Sequence, residues 1–288
     1  MPPRLVVAAI VIGWVAAVGW LAAEKWRPTR ADQAPAFVVE LADEVAPQQA
    51  TWLLTRSDKR IGIAETYMAP RKDGLFDLRT RLRDLELDSG AVQVKVPVFL
   101  VTRTVTRTGD LVSLDARANN ISVLRSGSED KVDAGLRGRV HGDALHATFE
   151  PGAGKPAQPL APIPLVSKAA FSPYLPLAKY PPLRPGQTWR TADIDPVGEL
   201  LYAVRAMLGP AAAEGSPLPD RRPPTEVVAR VEDGPNEITT PRGQRRACSV
   251  IVFQGDGLTA KVWVDVVDGR VLRHEAYGLG ETIALVRD

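Results

Sequence analysis

ATWLLTR (50–56), the turn Ser57-Asp58-Lys59 and RIGIAETYM (60–68) decide the fold: two β-prone runs separated by turn formers. The same sentence recurs along the chain. Gly109-Asp110 separates FLVTRTVTRT (99–108) from LVSLDARA, Gly142-Asp143 separates GLRGRVH (135–141) from ALHATFE, and Asp268-Gly269 separates KVWVDVV (261–267) from RVLRHEA. Gly-Asp and Asp-Gly suit two-residue hairpin turns, which need positive φ. The expected fold is mainly β: curved antiparallel sheets or a sandwich over residues 48–288. It is read as one large domain or as two pseudo-repeated halves, 48–165 and 166–288.

Two proline-rich stretches interrupt the strands, Pro151 to Gly186 and Pro210 to Pro224, and both should be irregular. Between them DPVGELLYAVRAMLG predicts a helix over 196–208. Asp195 is placed to cap it, Pro196 suits its first position and Gly209-Pro210 ends it. Val197, Leu200, Leu201, Val204, Met207 and Leu208 make one apolar stripe, to be laid on a sheet.

The amino-terminal text is different in kind. After a short flank at 1–4, residues 5–23 (LVVAAIVIGWVAAVGWLAA) carry no charge. A helix of that length spans roughly 28 Å, near the thickness of a bilayer core. Trp20, Lys25, Trp26 and Arg27 read as interfacial anchors. The run exceeds the apolar region of a cleaved signal peptide, so an uncleaved anchor is expected, with residues 24–47 as tether. Positive charges flank both ends, but the large β domain argues for an amino terminus inside and the domain outside. Arginine outnumbers lysine 27 to 9, which suggests a bacterial source and hence the inner membrane with a periplasmic domain.

Composition removes several function classes. The chain has 288 residues, 45% hydrophobic and 24% charged, with a formal charge of +2, so no electrostatic case exists for nucleic acid. A single cysteine excludes an internal disulfide framework and Cys-based zinc or iron–sulfur sites. No phosphate loop, G-x-S-x-G or H-E-x-x-H occurs.

Candidate chemistry is sparse. Cys248 precedes His274 in the order used by papain-like and transglutaminase-like enzymes, but ACSVIVF reads as a buried strand. His141, His146 and Glu150 share a parity across the Gly142-Asp143 hairpin, on the face opposite Leu145, Ala147 and Phe149, and read as solvent-facing residues rather than metal ligands. Asp265 and Glu275 would have to serve any carboxylate hydrolase, without evidence that they pair. The pairs Arg221-Arg222 and Arg245-Arg246 read as solvated surface rather than a lipid-headgroup site. Trp52, Trp189 and Trp263 are the soluble part's tryptophans and the candidates for lining a groove. In KVWVDVVDGRVLRHE the valines 262, 264, 266 and 271 form one face, leaving Trp263, Asp265 and His274 on the other.

The phrase LRPGQTW (183–189), the closing KVWVDVVDGRVLRHEAYGLGE (261–281), and Trp52 followed by Ile61-Gly62 resemble a bacterial cell-envelope β domain. That domain occurs alone or ahead of transglutaminase-like domains, and is similar to the curved sheets of lipoprotein-localisation factors, which wrap a helix and hold acyl chains. The resemblance covers residues 48–288 and transfers no catalytic or acyl-binding residue. It implies a non-catalytic, membrane-tethered extracytoplasmic domain that binds a hydrophobic ligand or an envelope partner protein. The alternative is a structural scaffold or accessory subunit without a ligand cavity. No enzyme activity, cofactor or metal is expected.

Overall fold

Residues that alternate between apolar and polar over 9 to 15 positions form long strands here, and hairpin turns stack them in sequence order. The computed structural model describes residues 48–288 except 89–91, 126–127, 153, 166–175, 181, 193–194, 201, 203–225, 235, 256–257 and 279–280. Its strands are β1 (Gln48–Arg56), β2 (Lys59–Pro70), β3 (Phe76–Asp88), β4 (Gln93–Val105), β5 (Leu111–Arg125), β6 (Ser128–His141), β7 (Ala144–Glu150), β8 (Gln158–Pro159) and β9 (Ile163–Pro164). The second half supplies β10 (Thr188–Ala192), β11 (Glu226–Val231), β12 (Asn236–Thr239), β13 (Arg245–Gly255), β14 (Leu258–Asp265), β15 (Val271–Gly278) and β16 (Glu281–Arg287).

All belong to one antiparallel sheet, ordered β10-β11-β13-β14-β15-β16-β1-β2-β3-β4-β5-β6-β7-β8, with β12 on β13 and β9 on β7. Each half of the chain is a meander, and β16 pairs with β1 to join them edge to edge, Trp52 opposite Arg287. The sheet is open and curled. Its buried face, from Trp52 and Phe99 to Leu136, Ile251 and Phe253, forms one apolar cluster.

Curling has a local cause. In β3, Leu82 and Leu85 are both buried although, three positions apart, they have opposite parity, and Asp84 between them takes φ +54°. On β5, Ala118 and Ile121 are both buried around Asn120 at φ +55°, whose N–H donates to Asp133 at 2.7 Å. Pro97 on β4 marks the same line, since Val96 and Phe99 are both buried. Register with β6 shifts at this point of β5, a bulge that adds twist and bends the strand, whereas β3 and β4 change face there without a change of register.

Two of the four expected turns have two residues. Ser57 and Asp58 both have positive φ, the type I′ pattern, and Gly142 alone does so in its turn, the II′ pattern. Around Gly109 and Gly269 the loops are longer, running 106–110 and 266–270, with the glycine at φ +82° and +72°.

Inside the curl lie pieces of the chain itself. The helix, α1, is described at 196–200 and 202. Asp195 caps it as expected, its Oδ1 accepting from the N–H groups of Val197 (3.1 Å) and Gly198 (2.9 Å). Leu200 is fully buried and Val197 packs on the core; the rest of the predicted stripe lies outside the described residues. So do the segment 5–23, the tether and the anchors Trp20, Lys25, Trp26 and Arg27. Among the described residues no helix is long and apolar enough to cross a membrane.

Candidate functional site

The three tryptophans occupy three different settings. Trp52 is fully buried on the core face of β1, where its Nε1 donates to Thr66 Oγ1 at 3.0 Å and the Arg287 guanidinium lies 5.7 Å from its ring. Trp189, on β10, is buried against Phe253, edge to face with centroids 6.2 Å apart. Trp263 is half-buried on the outer face, opposite Arg273, whose guanidinium sits 5.7 Å from the indole centroid. Trp52 and Trp263 therefore stand on opposite faces of the sheet, and the three do not share one groove.

A different site lies on the core face. Segment 176–180 crosses it, held by backbone bonds from Tyr180 N–H to Gly269 O (2.8 Å) and from Val271 N–H to Ala178 O (3.2 Å). Arg287 Nη1 donates to Ala178 O as well, at 2.8 Å. Beneath the segment, Met68, Leu78, Thr66, Thr80, Arg103 and Leu177 line a cavity of about 20 Å³, room for a single water. Arg103 is 4% exposed, and desolvation pulls its guanidinium down to about 10 while the nearby Tyr180 opposes that shift. Burial likewise pushes the Tyr180 hydroxyl well above its ordinary value. Sequence reading missed this arginine, although the signal was present: Phe99, Val101, Arg103 and Val105 share the parity of the apolar face.

The residues of the candidate hydrolytic chemistries are held apart. Val250 pairs with Trp263, and Ile251 with Val262, which in turn pairs with His274. Cys248, two residues from Val250, thus lies on the outer face while His274 lies on the core face. This corrects the grouping of His274 with Trp263. Register shifts by one between Trp263 and Val264, so that Val271 and His274, three residues apart, both point into the core. Val266, expected in the apolar face, has already left the strand and is 56% exposed.

Asp265 and Glu275 make separate arrangements. Asp265 is buried beside Cys248 in register, accepts from Val267 N–H at 2.8 Å and lies 3.8 Å from Arg246. Glu275 pairs across from Lys261 and is bonded by Arg273 and by Tyr277. Four residues along a strand separate the two carboxylates, roughly 13 Å, too far for a shared-proton pair. Burial first, then the bond to Glu275, push the Tyr277 hydroxyl up to about 12.

His141 and His146 meet at the hairpin as expected, ring centroids 5.7 Å apart and both exposed. Arg139 sits directly opposite His146, a cation where a metal ligand set would want an acid. No group of three candidate ligands occurs among the described residues.

Cys248 is buried, and burial together with the Asp265 charge lifts its thiol from 9.0 up to about 11. Two results follow. The folded chain should resist a thiol-disulfide reagent at pH 8 and react stoichiometrically once denatured, because the thiolate is the nucleophile. Between pH 9 and 11 the unfolded thiol loses its proton before the folded one, so this group's contribution to stability falls as pH rises through that window. Rapid native labelling at pH 8 would show the assignment to be wrong.

No protein-family model matches the chain, and no curated protein matches it. Among solved structures, the crystal structure of a beta-barrel-like protein of domain of unknown function DUF1849 from Brucella abortus is similar at 8% identity. That match covers 85% of this chain and 96% of the other, with a TM-score of 0.41.

Proposed function

We propose that the chain is a non-catalytic envelope domain, tethered by residues 5–23 outside the inner membrane, that engages a partner protein rather than carrying a lipid inside its sheet. The single observation behind the choice of ligand is how closely the described residues pack the core face. Trp52, Phe99, Leu136, Leu200 and Phe253, drawn from both halves of the chain, are buried there, and the gap beneath segment 176–180 is water-sized. An acyl ligand needs a pocket of several hundred Å³. The separation of Cys248 from His274 by the thickness of the sheet supports the non-catalytic part.

A second reading keeps the interior as a ligand site that opens. Its support is Arg103: a buried cation on the floor of a cavity lined by Met68, Leu78 and Leu177 together with Thr66 and Thr80 suits the head group of an anionic amphiphile, if segment 176–180 lifts. Native mass spectrometry of the full chain, released from detergent micelles, separates the two. Partner binding predicts the bare chain mass, with no retained lipid after delipidation and re-exposure to fatty acids. A stoichiometric adduct of several hundred daltons would overturn it in favour of a carrier.

A further inference from the structure

One end of the sheet combines exposed apolar and cationic side chains. At the tip of the loop joining β14 to β15, Val267 is 84% exposed and Val266 56%. The turn before β13 lies beside it, since Val266 N–H donates to Ala247 O at 3.2 Å and Arg246 reaches Asp265 at 3.8 Å. Arg242 in that turn, Arg245 and Arg246 at the start of β13 and Arg270 in the loop are all exposed. Against these four cations stand Asp265, buried, Asp268, paired with Arg270 at 3.2 Å, Glu237, exposed and opposite Ala247, and Asp288 at the end of the neighbouring β16.

The chain also enters the sheet at this end. Asp288 N–H donates to Thr51 O at 3.1 Å, and β16 joins β15 to β1, so the loop lies about 10 Å from the start of β1 within the sheet. The first described strand, β1, therefore starts on the side that bears Val266 and Val267. Two adjacent solvent-exposed valines have no use in the core, whereas apolar tips ringed by arginine fit an anionic lipid surface: the side chains enter the interface and the guanidinium groups meet phosphates.

We propose that this end of the sheet rests on an anionic phospholipid bilayer, with Val266 and Val267 inserted at the interface and Arg242, Arg245, Arg246 and Arg270 on the headgroups. The proposal rests on the membrane-tethered reading and adds an orientation to it, with the Ser57-Asp58 turn at the opposite end facing away.

The test uses the full chain reconstituted through its own amino-terminal segment into phosphatidylcholine vesicles with or without phosphatidylglycerol. A polarity-sensitive fluorophore is attached at Val267→Cys or, as the far-end control, at Asp58→Cys, with Cys248 buried and out of reach. The expected result is a blue shift and quenching by spin-labelled lipid at position 267 only, strengthened by phosphatidylglycerol. Arg242→Gln with Arg245→Gln should weaken that insertion about fivefold per arginine, as about 1 kcal/mol per basic residue implies, and raised salt should do the same. If both labels stay in water while the protein floats with the vesicles, the docking proposal fails and the tether stands. Equal shifts at both positions also overturn it, because the contact would not be confined to one end. A chain that does not float with vesicles overturns the tether and the docking surface together.

Discussion

Trp52→Ala is expected to cost about 3–5 kcal/mol, a large share of the roughly 5–15 kcal/mol that holds a domain folded. Three losses coincide. The indole is fully buried at the joint where β1 meets β16, so its removal leaves a cavity between the two halves of the sheet. Thr66, itself buried, loses the donor from Nε1, and the Arg287 guanidinium loses the ring it faces. Leu53→Ala is the control. It lies one residue away on the outer face, 40% exposed, and should change stability by no more than about 0.5 kcal/mol. Urea unfolding of each full-length variant, followed by circular dichroism, measures both. Comparable losses at positions 52 and 53 would contradict the assignment of β1's faces.

That assignment shows what the sequence carried and what it did not. Alternation in ATWLLTR and FLVTRTV gives the faces of β1 and β4 outright, and Ser57-Asp58-Lys59 marks the turn, although Lys59 itself belongs to β2, because both are decided by neighbours in the chain. Asp195 and Pro196 likewise announce the start of α1, since capping is a matter of three residues. The failures fall where alternation breaks. One residue extra near Leu272 moves His274 from the outer face to the core, and nothing in RVLRHEA marks the bulge, because its cause is the register imposed by β14. Asp84 and Asn120 break the alternation at positive φ, yet an Asp or Asn in a strand reads as an ordinary polar residue.

The candidate site illustrates the same division. Arg103 was visible as a charge at an apolar parity, but the segment that covers it comes from a proline-rich stretch 73 residues on in the chain, beginning at Pro176. Only tertiary structure brings the two together. The same holds for the end of the sheet that bears the β14–β15 loop: Arg245-Arg246 reads as solvated surface until Val266 and Val267 are seen beside it and the start of β1 two strands away.

Gly269→Ala is the second substitution of large expected effect, and it tests how segment 176–180 is held. Gly269 takes φ +72°, and a Cβ built there would stand 2.4 Å from the backbone oxygen of Tyr180. Gly243 provides a matched comparison, at φ +77° with nothing within 4 Å of the added carbon. Both alanines meet the left-handed strain, about 1–3 kcal/mol. Only the first also collides with backbone, adding about 1–3 kcal/mol in the manner of an overpacked core. The cheapest relief is for Tyr180 to move away, which breaks its bond to Gly269 O and loosens Val271 from Ala178. Amide exchange at Tyr180 and Val271 should therefore accelerate in Gly269→Ala and stay unchanged in Gly243→Ala. Equal stability losses in the two variants, with exchange at Tyr180 unaltered, would remove the segment's role as a fixed cover. The loosened variant also sharpens the choice of function. If the cavity between Arg103 and this segment is a ligand site that the segment closes, Gly269→Ala should take up fatty acid that the natural chain excludes. If the segment is packing alone, the same variant loses stability and gains no ligand.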